Sequence, residues 1–285
     1  MSVKIIVDSA SDIIPADAEK MDVKVLPLKT LIDGTEYLDG VTITHEEFYD
    51  KLEDCDELPK TSQIAPFDFK QAFEDALENR SEIVAITLSG KFSGTAASAR
   101  AAAEKFGDRV YVIDSMNATV GERILIEYAV RLRDEGADAK TIAEKLEEAK
   151  GRVSLVALFD TLEFLVKGGR LSKTAGLAGK LLKIKPVLAI TDGELEVLGK
   201  ARGSKQIHNF LNQAIEDRGG IDFSMPIGVA YTGNDDALLR GYIENSRRLW
   251  EDGIESLPVS TIGSTIGTHA GPGAIALAFF ADKTE

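Results

Sequence analysis

The sequence predicts an α/β protein with an N-terminal α/β domain, whose sheet is mainly parallel, and a C-terminal α+β domain, whose sheet is mixed or antiparallel. Three observations predict this architecture. Short β-branched runs alternate with amphipathic helical patterns as far as Lys150, which is typical of a parallel sheet covered by helices. A strong hairpin signal, Thr191-Asp192-Gly193-Glu194, then separates two apolar runs. The chain has 285 residues, enough for two domains, and we place these at residues 1–150 and 151–285.

The strands and helices of the first half follow from two different spacings of apolar residues. β-Branched runs bounded by turn residues predict strands, and apolar residues three or four apart predict helices. The predicted strands lie at Val3–Val7, Val23–Leu28, Ile83–Leu88 and Val110–Ile113. Two predicted helices begin at the Thr44 capping box and at Pro66. Three more are predicted at Thr95–Phe106, Glu122–Arg133 and Ala139–Lys150.

The second half loses this regular alternation. The strand predicted at Val153–Leu158 precedes a short helix, Asp160–Val166, which ends at two glycines. The predicted hairpin joins Val187–Ile190 to Leu195–Leu198. Further strands are predicted at Ile227–Tyr231, Val259–Ile262 and Ala274–Ala281, and further helices at Ser204–Glu216 and Asp235–Trp250. A hairpin with intervening helices favours a mixed or antiparallel sheet.

The charge and the cysteine content exclude several classes of protein. Because 33 Lys and Arg face 47 Asp and Glu, the net charge is −14, and phosphate backbones or anionic membranes repel the chain. One cysteine and three dispersed histidines supply neither a disulfide nor a metal-ligand cluster. No window approaches the ~20 apolar residues that span a bilayer. We therefore expect a cytoplasmic protein that binds no nucleic acid and no metal and does not insert stably into a membrane.

The segment Ser89–Gly94 is a candidate anion site. It leaves the carboxyl end of a predicted strand and opens a helix, where ligands of open α/β sheets bind and unpaired N–H groups attract anions. Its two glycines allow a close approach of the backbone, and Ser93 adds a hydroxyl. Ser93 alternatively caps the helix. The spacing does not fit a Gly-x-Ser-x-Gly nucleophile elbow, but it leaves open a catalytic pair of Ser93 and His269.

Two further segments carry polar groups suited to a ligand. Lys60–Gln63 offers two hydroxyls and an amide between two predicted helices. It either caps the second helix or forms a neutral cradle for a carboxylate or phosphate. Gly263–Gly273 is rich in glycine and contains a proline and His269, which predicts a tightly shaped loop or short helix. A histidine in such a loop is expected to contact a ligand.

Two basic clusters, Lys167–Arg170 and Lys200–Lys205, interrupt this acidic chain. They are either solvated surface or the local positive patches that an anionic ligand or an acidic partner needs. Arg170 follows two glycines and also fits a structural ion pair. Arg202, flanked by lysines, is expected to be more exposed.

Other signatures of catalysis or cofactor binding are weak. The paired carboxylates Asp8 and Asp12 lack the context of a glycoside hydrolase or an EF-hand, and we interpret them as caps and surface. The sequence contains neither a P-loop nor a Gly-x-Gly-x-x-Gly motif, so no nucleotide cofactor is indicated.

In their order along the chain, these segments resemble the DegV family of bacterial fatty-acid-binding proteins. Each segment alone is unspecific, but the ordered set covers essentially the whole chain. The matching residues are Asp8-Ser9, Lys60-Thr61-Ser62-Gln63, Ser93-Gly94-Thr95 with Ser98, Asp114-Ser115, Gly168-Gly169-Arg170-Leu171-Ser172, Lys185-Pro186-Val187-Leu188, Arg202 and Gly267-Thr268-His269-Ala270-Gly271-Pro272-Gly273. The sequence departs from the family at Ile64, where proline is common, and at Gly90.

The resemblance implies one long-chain fatty acid buried between and within the two domains. Residues matching Thr61, Ser93 and His269 would hold its carboxylate, and the adjoining loop residues Ser62, Gly94 and Gly271 would belong to the same site. The protein would have no catalytic residue and no cofactor of its own.

The resemblance further implies a partner, a separate ATP-dependent fatty acid kinase that forms acyl phosphate for phospholipid synthesis. Arg202, and with it Arg170, would serve docking to this kinase. Two alternatives remain open at this point. One is a serine-dependent hydrolase of acyl or phosphate esters that uses Ser93 and His269, and the other is a lipid-sensing regulatory module.

Overall fold

The computed structural model describes residues 2–55, 57–171 and 185–282, so that Ser172 of the family match lies outside the described residues. Its strands are β1 (Val3–Asp8), β2 (Val23–Leu26), β3 (Lys29–Ile32), β4 (Thr35–Leu38), β5 (Lys60–Ser62), β6 (Glu82–Thr87), β7 (Val110–Asp114), β8 (Val153–Leu158), β9 (Lys185–Thr191), β10 (Glu194–Ala201), β11 (Ile227–Tyr231), β12 (Val259–Thr261) and β13 (Ile275–Phe280). Its α-helices are α1 (Pro15–Lys20), α2 (His45–Asp54), α3 (Pro66–Leu77), α4 (Thr95–Ala103), α5 (Thr119–Asp134), α6 (Ala139–Ala149), α7 (Glu163–Lys167), α8 (Ser204–Glu216), α9 (Ala237–Asn245) and α10 (Ser264–Ala270).

The first half contains a parallel sheet in the order β2-β1-β6-β7. Its two central strands, β1 and β6, are short and almost wholly buried, as the β-branched runs predict. Helices lie between successive strands, and the loops after β2, β6 and β7 leave the same, carboxyl edge of the sheet. The predicted α/β architecture of this half is confirmed.

The second half contains a mixed sheet in the order β10-β9-β8-β13-β11-β12, in which only the pair β11 and β12 is parallel. The predicted hairpin is present, with Asp192 and Gly193 at the tip between β9 and β10. Both have positive φ, the conformation that a type I′ turn requires. The division of the chain into two domains at residue 150 stays a prediction.

A third, antiparallel sheet in the order β4-β3-β5 was not predicted from the sequence. The strand predicted at Val23–Leu28 ends at Leu26, and a new strand begins at Lys29. The segment Lys60–Gln63 lies between α2 and α3, as predicted, but its first three residues form the edge strand β5, which was not predicted. Thr61 of β5 pairs with the fully buried Thr30 of β3, so both side chains lie on the inner face of this small sheet.

The amino end of α10 is held by two carboxylates from the first half of the chain. Asp39 accepts hydrogen bonds from the backbone N and the Oγ of Ser264, both at 2.8 Å. Asp12 accepts from the N of Gly263 at 2.7 Å and from the Oγ1 of Thr119 at 2.5 Å. The surface part of the interpretation of Asp8 and Asp12 is therefore wrong, since they are buried at 0% and 2% exposure. The capping part is confirmed for Asp8, whose side chain accepts from the backbone N of Ala10 at the start of the 3-10 turn Ser9–Ser11. The carboxylate oxygens of both residues replace water as acceptors for backbone N–H groups.

The substitution Asp39→Ala is expected to lower the free energy of unfolding by about 3 kcal/mol, because it leaves buried donors of Ser264 without an acceptor. Urea denaturation measures this difference. The matched control is Glu53→Ala, which removes an exposed carboxylate from α2 and should change the free energy by less than about 0.5 kcal/mol. Equal midpoints for the two variants would contradict the role assigned to Asp39.

Candidate functional site

An apolar cavity lies where the carboxyl edge of the parallel sheet faces the small sheet, α10 and the inner face of the six-stranded sheet. The space measures about 850 Å³, including the part that is open to solvent. Leu28, Leu88 and Phe92 contribute side chains from loops at the carboxyl edge of the parallel sheet, and Ile266 contributes one from α10. This edge is where ligands of open α/β sheets bind.

Small side chains on the six-stranded sheet leave room for this cavity. Ala157 of β8 and Ala276 of β13 are direct register partners, and both line it. Ala274 lines it on the same face, since side chains two residues apart share a face of a strand. The alternation of alanine in Ala274–Ala278 is the signal for this wall in the sequence, but it does not show which face is occupied.

A pair of hydrogen-bonded polar side chains lies at one end of the cavity. The Oγ1 of Thr61 and the Nε2 of His269 form a hydrogen bond of 2.9 Å, and both residues line the cavity. Thr61 stands on the inner face of β5, while His269 lies in the last turn of α10. Two residues that are 208 positions apart in sequence are thus joined directly.

Ser93 lines the same cavity as Thr61 and His269. Its Oγ forms a hydrogen bond of 2.9 Å with the Oγ1 of Thr95 and accepts one from the Thr95 backbone N at 3.3 Å. The hydroxyl of Ser93 therefore supports the first turn of α4 through Thr95, although the N-cap residue itself is Gly94. The role of Ser93 in holding an anion stays a prediction. The Nε2 of His269 is bonded to Thr61, so the geometry does not form the catalytic pair of Ser93 and His269.

The other three residues of the predicted site divide into two kinds. Ser62 lines the cavity next to Thr61. Gly94 and Gly271 instead allow neighbours to pack closely: a Cβ at Gly94 would lie 1.9 Å from the Oε1 of Gln63, and one at Gly271 would lie 2.3 Å from the Phe164 ring. Gln63 also lines the cavity and donates to the Oγ of Ser98 at 2.9 Å. Gly94 thus shapes the site through Gln63, whereas Gly271 allows α10 to pack closely against Phe164 of α7.

The imidazole of His269 is neutral at physiological pH. Burial, together with the positive charge of Arg170, lowers its pKa from the ordinary value of 6.5 to about 4. Its Nδ1 is buried without a hydrogen-bond partner in the protein. A Cβ at Gly168 would lie 2.2 Å from this nitrogen, so only glycine fits beside the ring.

The two predicted docking arginines lie in different surroundings. Arg170 lines the cavity, and it donates to the backbone O of Phe92 at 3.3 Å and to that of Gly168 at 2.8 Å. Arg202 is exposed, as expected, at the end of β10. The carboxyl end of β10 lies beside the amino end of β9, which in turn lies beside the carboxyl end of β8. Arg202 is therefore at the same end of the six-stranded sheet as the segment that leads from β8 through α7 to Arg170.

The polar end of the cavity opens into an outer pocket. Thr61, Arg170 and His269 line both spaces, and Lys60 and Lys167 line the outer one. A group bound at Thr61 and His269 is therefore reachable from the surface through a rim that contains positive charges. Lys60 and Lys167 were not singled out individually from the sequence, because isolated lysines carry no signal for a site.

The described residues include no group of three or more His, Cys, Asp and Glu side chains that could hold a metal ion. Within the same residues, no helix combines the length and the apolar character needed to cross a bilayer.

A largely apolar cavity with hydroxyls, a neutral imidazole and Arg170 at one end has the form of a binding site for an elongated amphipathic molecule. The chain belongs to the DegV family, since the sequence profile described as "uncharacterised protein, DegV family" matches residues 2–282. A DegV domain-containing protein of Caldanaerobacter subterraneus subsp. tengcongensis is 38% identical, over 99% of each chain. The resemblance found in the sequence is thereby confirmed.

Solved structures of the family have the same fold and include proteins described as binding fatty acids. A DegV family protein of Thermus thermophilus, described by its fatty acid binding, has a TM-score of 0.88 and 30% identity over 98% of this chain and 100% of that one. A stearic-acid-binding protein of Eubacterium ventriosum has a TM-score of 0.85 and 28% identity over 98% and 97% of the two chains.

The pKa of His269 yields a testable pH dependence. Because the folded value of about 4 lies below the ordinary 6.5, protonation favours the unfolded chain. The contribution of this histidine to stability is complete above pH 6.5 and is lost as the pH falls through 4. NMR titration of the imidazole, assigned with His269→Gln, should give a midpoint near 4, and Arg170→Gln should raise it. A midpoint near 6.5 in the wild type would contradict burial of the ring.

Proposed function

We propose that this protein binds one long-chain fatty acid in the cavity and presents its carboxylate to a separate ATP-dependent kinase, which forms the acyl phosphate used in phospholipid synthesis. The observation that carries the proposal is the hydrogen-bonded pair of Thr61 and His269 at one end of an apolar cavity. Fatty acid binding by relatives with the same fold supports the choice of ligand.

The apolar walls account for the affinity. Burial of an alkyl chain is favourable by ~0.8 kcal/mol per methylene, so roughly fifteen methylenes contribute about 12 kcal/mol before the costs of ordering. The head group then needs only to be satisfied by hydrogen bonds, because the tail already supplies most of the binding free energy.

The uncharged donors at the head-group end suit a carboxylate that has to react. Thr61 and the neutral His269 use one of their two protons in their mutual hydrogen bond and have one left to donate, and Ser93 supplies a further hydroxyl. Hydrogen bonds from neutral donors are roughly half as strong as those from charged ones. The carboxylate oxygens therefore remain available to attack a phosphorus atom, whereas a tight ion pair would lower their nucleophilicity.

The rim of the outer pocket suits an anionic partner. Lys60, Lys167 and Arg170 surround the exit from the head-group end, in a chain whose net charge is −14. A local positive patch steers an acidic protein surface or a polyphosphate to this point against the overall repulsion. Arg202 lies at the same edge of the six-stranded sheet and extends the patch.

The two alternatives differ from the carrier in what they require. A serine hydrolase needs a base at Ser93, but the hydroxyl of Ser93 is bonded to Thr95 and the imidazole is bonded to Thr61. A lipid-sensing module would use the same cavity without turnover by a kinase. The carrier is favoured because the head-group end faces an open pocket whose lining contains three basic residues, Lys60, Lys167 and Arg170, and one acidic residue, Glu57.

Denaturing mass spectrometry of the purified protein is expected to show about one fatty acid per chain. The double variant Thr61→Ala with Ser93→Ala should weaken palmitate binding by about tenfold, since two hydrogen bonds to the carboxylate are lost. The matched control, Thr35→Ala with Ser81→Ala, removes two exposed hydroxyls outside the cavity and should bind like the wild type. Purified protein without lipid that also fails to take up palmitate or oleate would refute fatty acid binding.

Arg202→Ala is expected to retain bound lipid but to lose turnover with the kinase, with an increase in KM of about tenfold. A steady-state kinase assay with the loaded protein as substrate measures this effect. Arg240→Ala, at an exposed arginine of α9, is the control and should leave KM unchanged. Loss of lipid from the Arg202 variant would instead assign this residue to the cavity.

A further inference from the structure

The end of the cavity opposite Thr61 and His269 is formed by three adjacent strands of the six-stranded sheet. His269 lies against Gly168, in the segment that follows the carboxyl end of β8. Leu155 lies toward the amino end of the same strand and also lines the cavity. From Phe159 to Leu155, both at the wall, the strand rises by roughly 13 Å. The cavity therefore runs along β8 away from its polar end.

Large side chains stand in one row across the sheet at this far end. Ile190 of β9 is the register partner of Leu155 on β8 and of Leu195 on β10, and all three line the cavity. The next row toward the polar end contains Ala157, which pairs with Ala276 on β13 and with Leu188 on β9, and of these three only the two alanines line the cavity. Among the lining residues of β8, the side chain thus changes from the methyl group of Ala157 to the branched side chain of Leu155 two residues away.

Of the three residues Leu155, Ile190 and Leu195, Ile190 also lines a pocket at the protein surface. A second, polar pocket at the surface is lined by Ile190 together with Asn117, Lys150 and Arg218. Among the residues that the structure describes, Ile190 is the one shared by this surface pocket and the apolar cavity. Its side chain, 8% exposed, thus separates an apolar space from a polar one.

We propose that Ile190 sets the longest acyl chain that the protein accepts, with the methyl end of the fatty acid stopping against its side chain. The inference rests on the proposed function and adds the residue that determines specificity. Up to that stop, each further methylene is buried and raises affinity by about fourfold. A longer chain has to displace Ile190 and enter the polar pocket, where this gain ends.

The test measures dissociation constants for an even-numbered series of saturated acids from lauric to behenic acid. The wild type should show affinity that rises with length and then reaches a maximum. Ile190→Ala should move this maximum to a longer acid, with a gain of about tenfold for the first acid beyond the wild-type limit. Ile190→Phe should move it to a shorter acid. Opposite shifts from two variants cannot arise from loss of stability alone.

The matched control is Leu277→Ala, which removes the same number of carbons from the other face of the sheet, outside the cavity. It should keep the wild-type maximum. If all four proteins bind fatty acids with the same maximum, Ile190 does not set the length and the inference is overturned. If the wild type binds no acid of the series, the proposed function fails, and this inference fails with it.

Discussion

Helix α10 is held at both of its ends by side chains from the first half of the chain. Asp12 and Asp39 accept hydrogen bonds from its first N–H groups, and Thr61 bonds to His269 in its last turn. The Tyr49 hydroxyl adds a bond to the carbonyl of Ile262 just before it. Since α10 belongs to the second half of the sequence, these contacts fix the two sheets relative to each other. The cavity exists because the helix bridges the gap between the sheets without filling it.

The fold class could be predicted from the sequence because its signals are local. The period of the apolar residues, the Thr44 capping box and the Asp192-Gly193 turn each depend on neighbours within a few positions, and all are present. The small antiparallel sheet was missed because β5 has only three residues and alternates no apolar side chains. Its pairing with β3 depends on tertiary contacts, which no local pattern encodes.

The residues of the candidate site also fall into those that the sequence signals locally and those that only the tertiary structure reveals. Thr61, Ser93 and His269 were found because polar groups in loops stand out from their surroundings and match a family pattern. The apolar lining was not found, because an alanine such as Ala157 or an isoleucine such as Ile190 looks the same in a packed core as in the wall of a cavity. The buried carboxylates Asp8 and Asp12 were misplaced for a related reason, since their compensating donors come from remote segments, as at Gly263.

The alanine face of the six-stranded sheet has a consequence for the stability of the protein with and without a ligand. Under the proposed function, the space that this face leaves is fully packed only while a fatty acid occupies it, so the ligand forms a removable part of the hydrophobic core. Loaded and empty molecules would then differ in folding free energy in proportion to how tightly the ligand binds. Release of the ligand would leave the less stable form, which opens more often to proteases and chaperones until it is refilled.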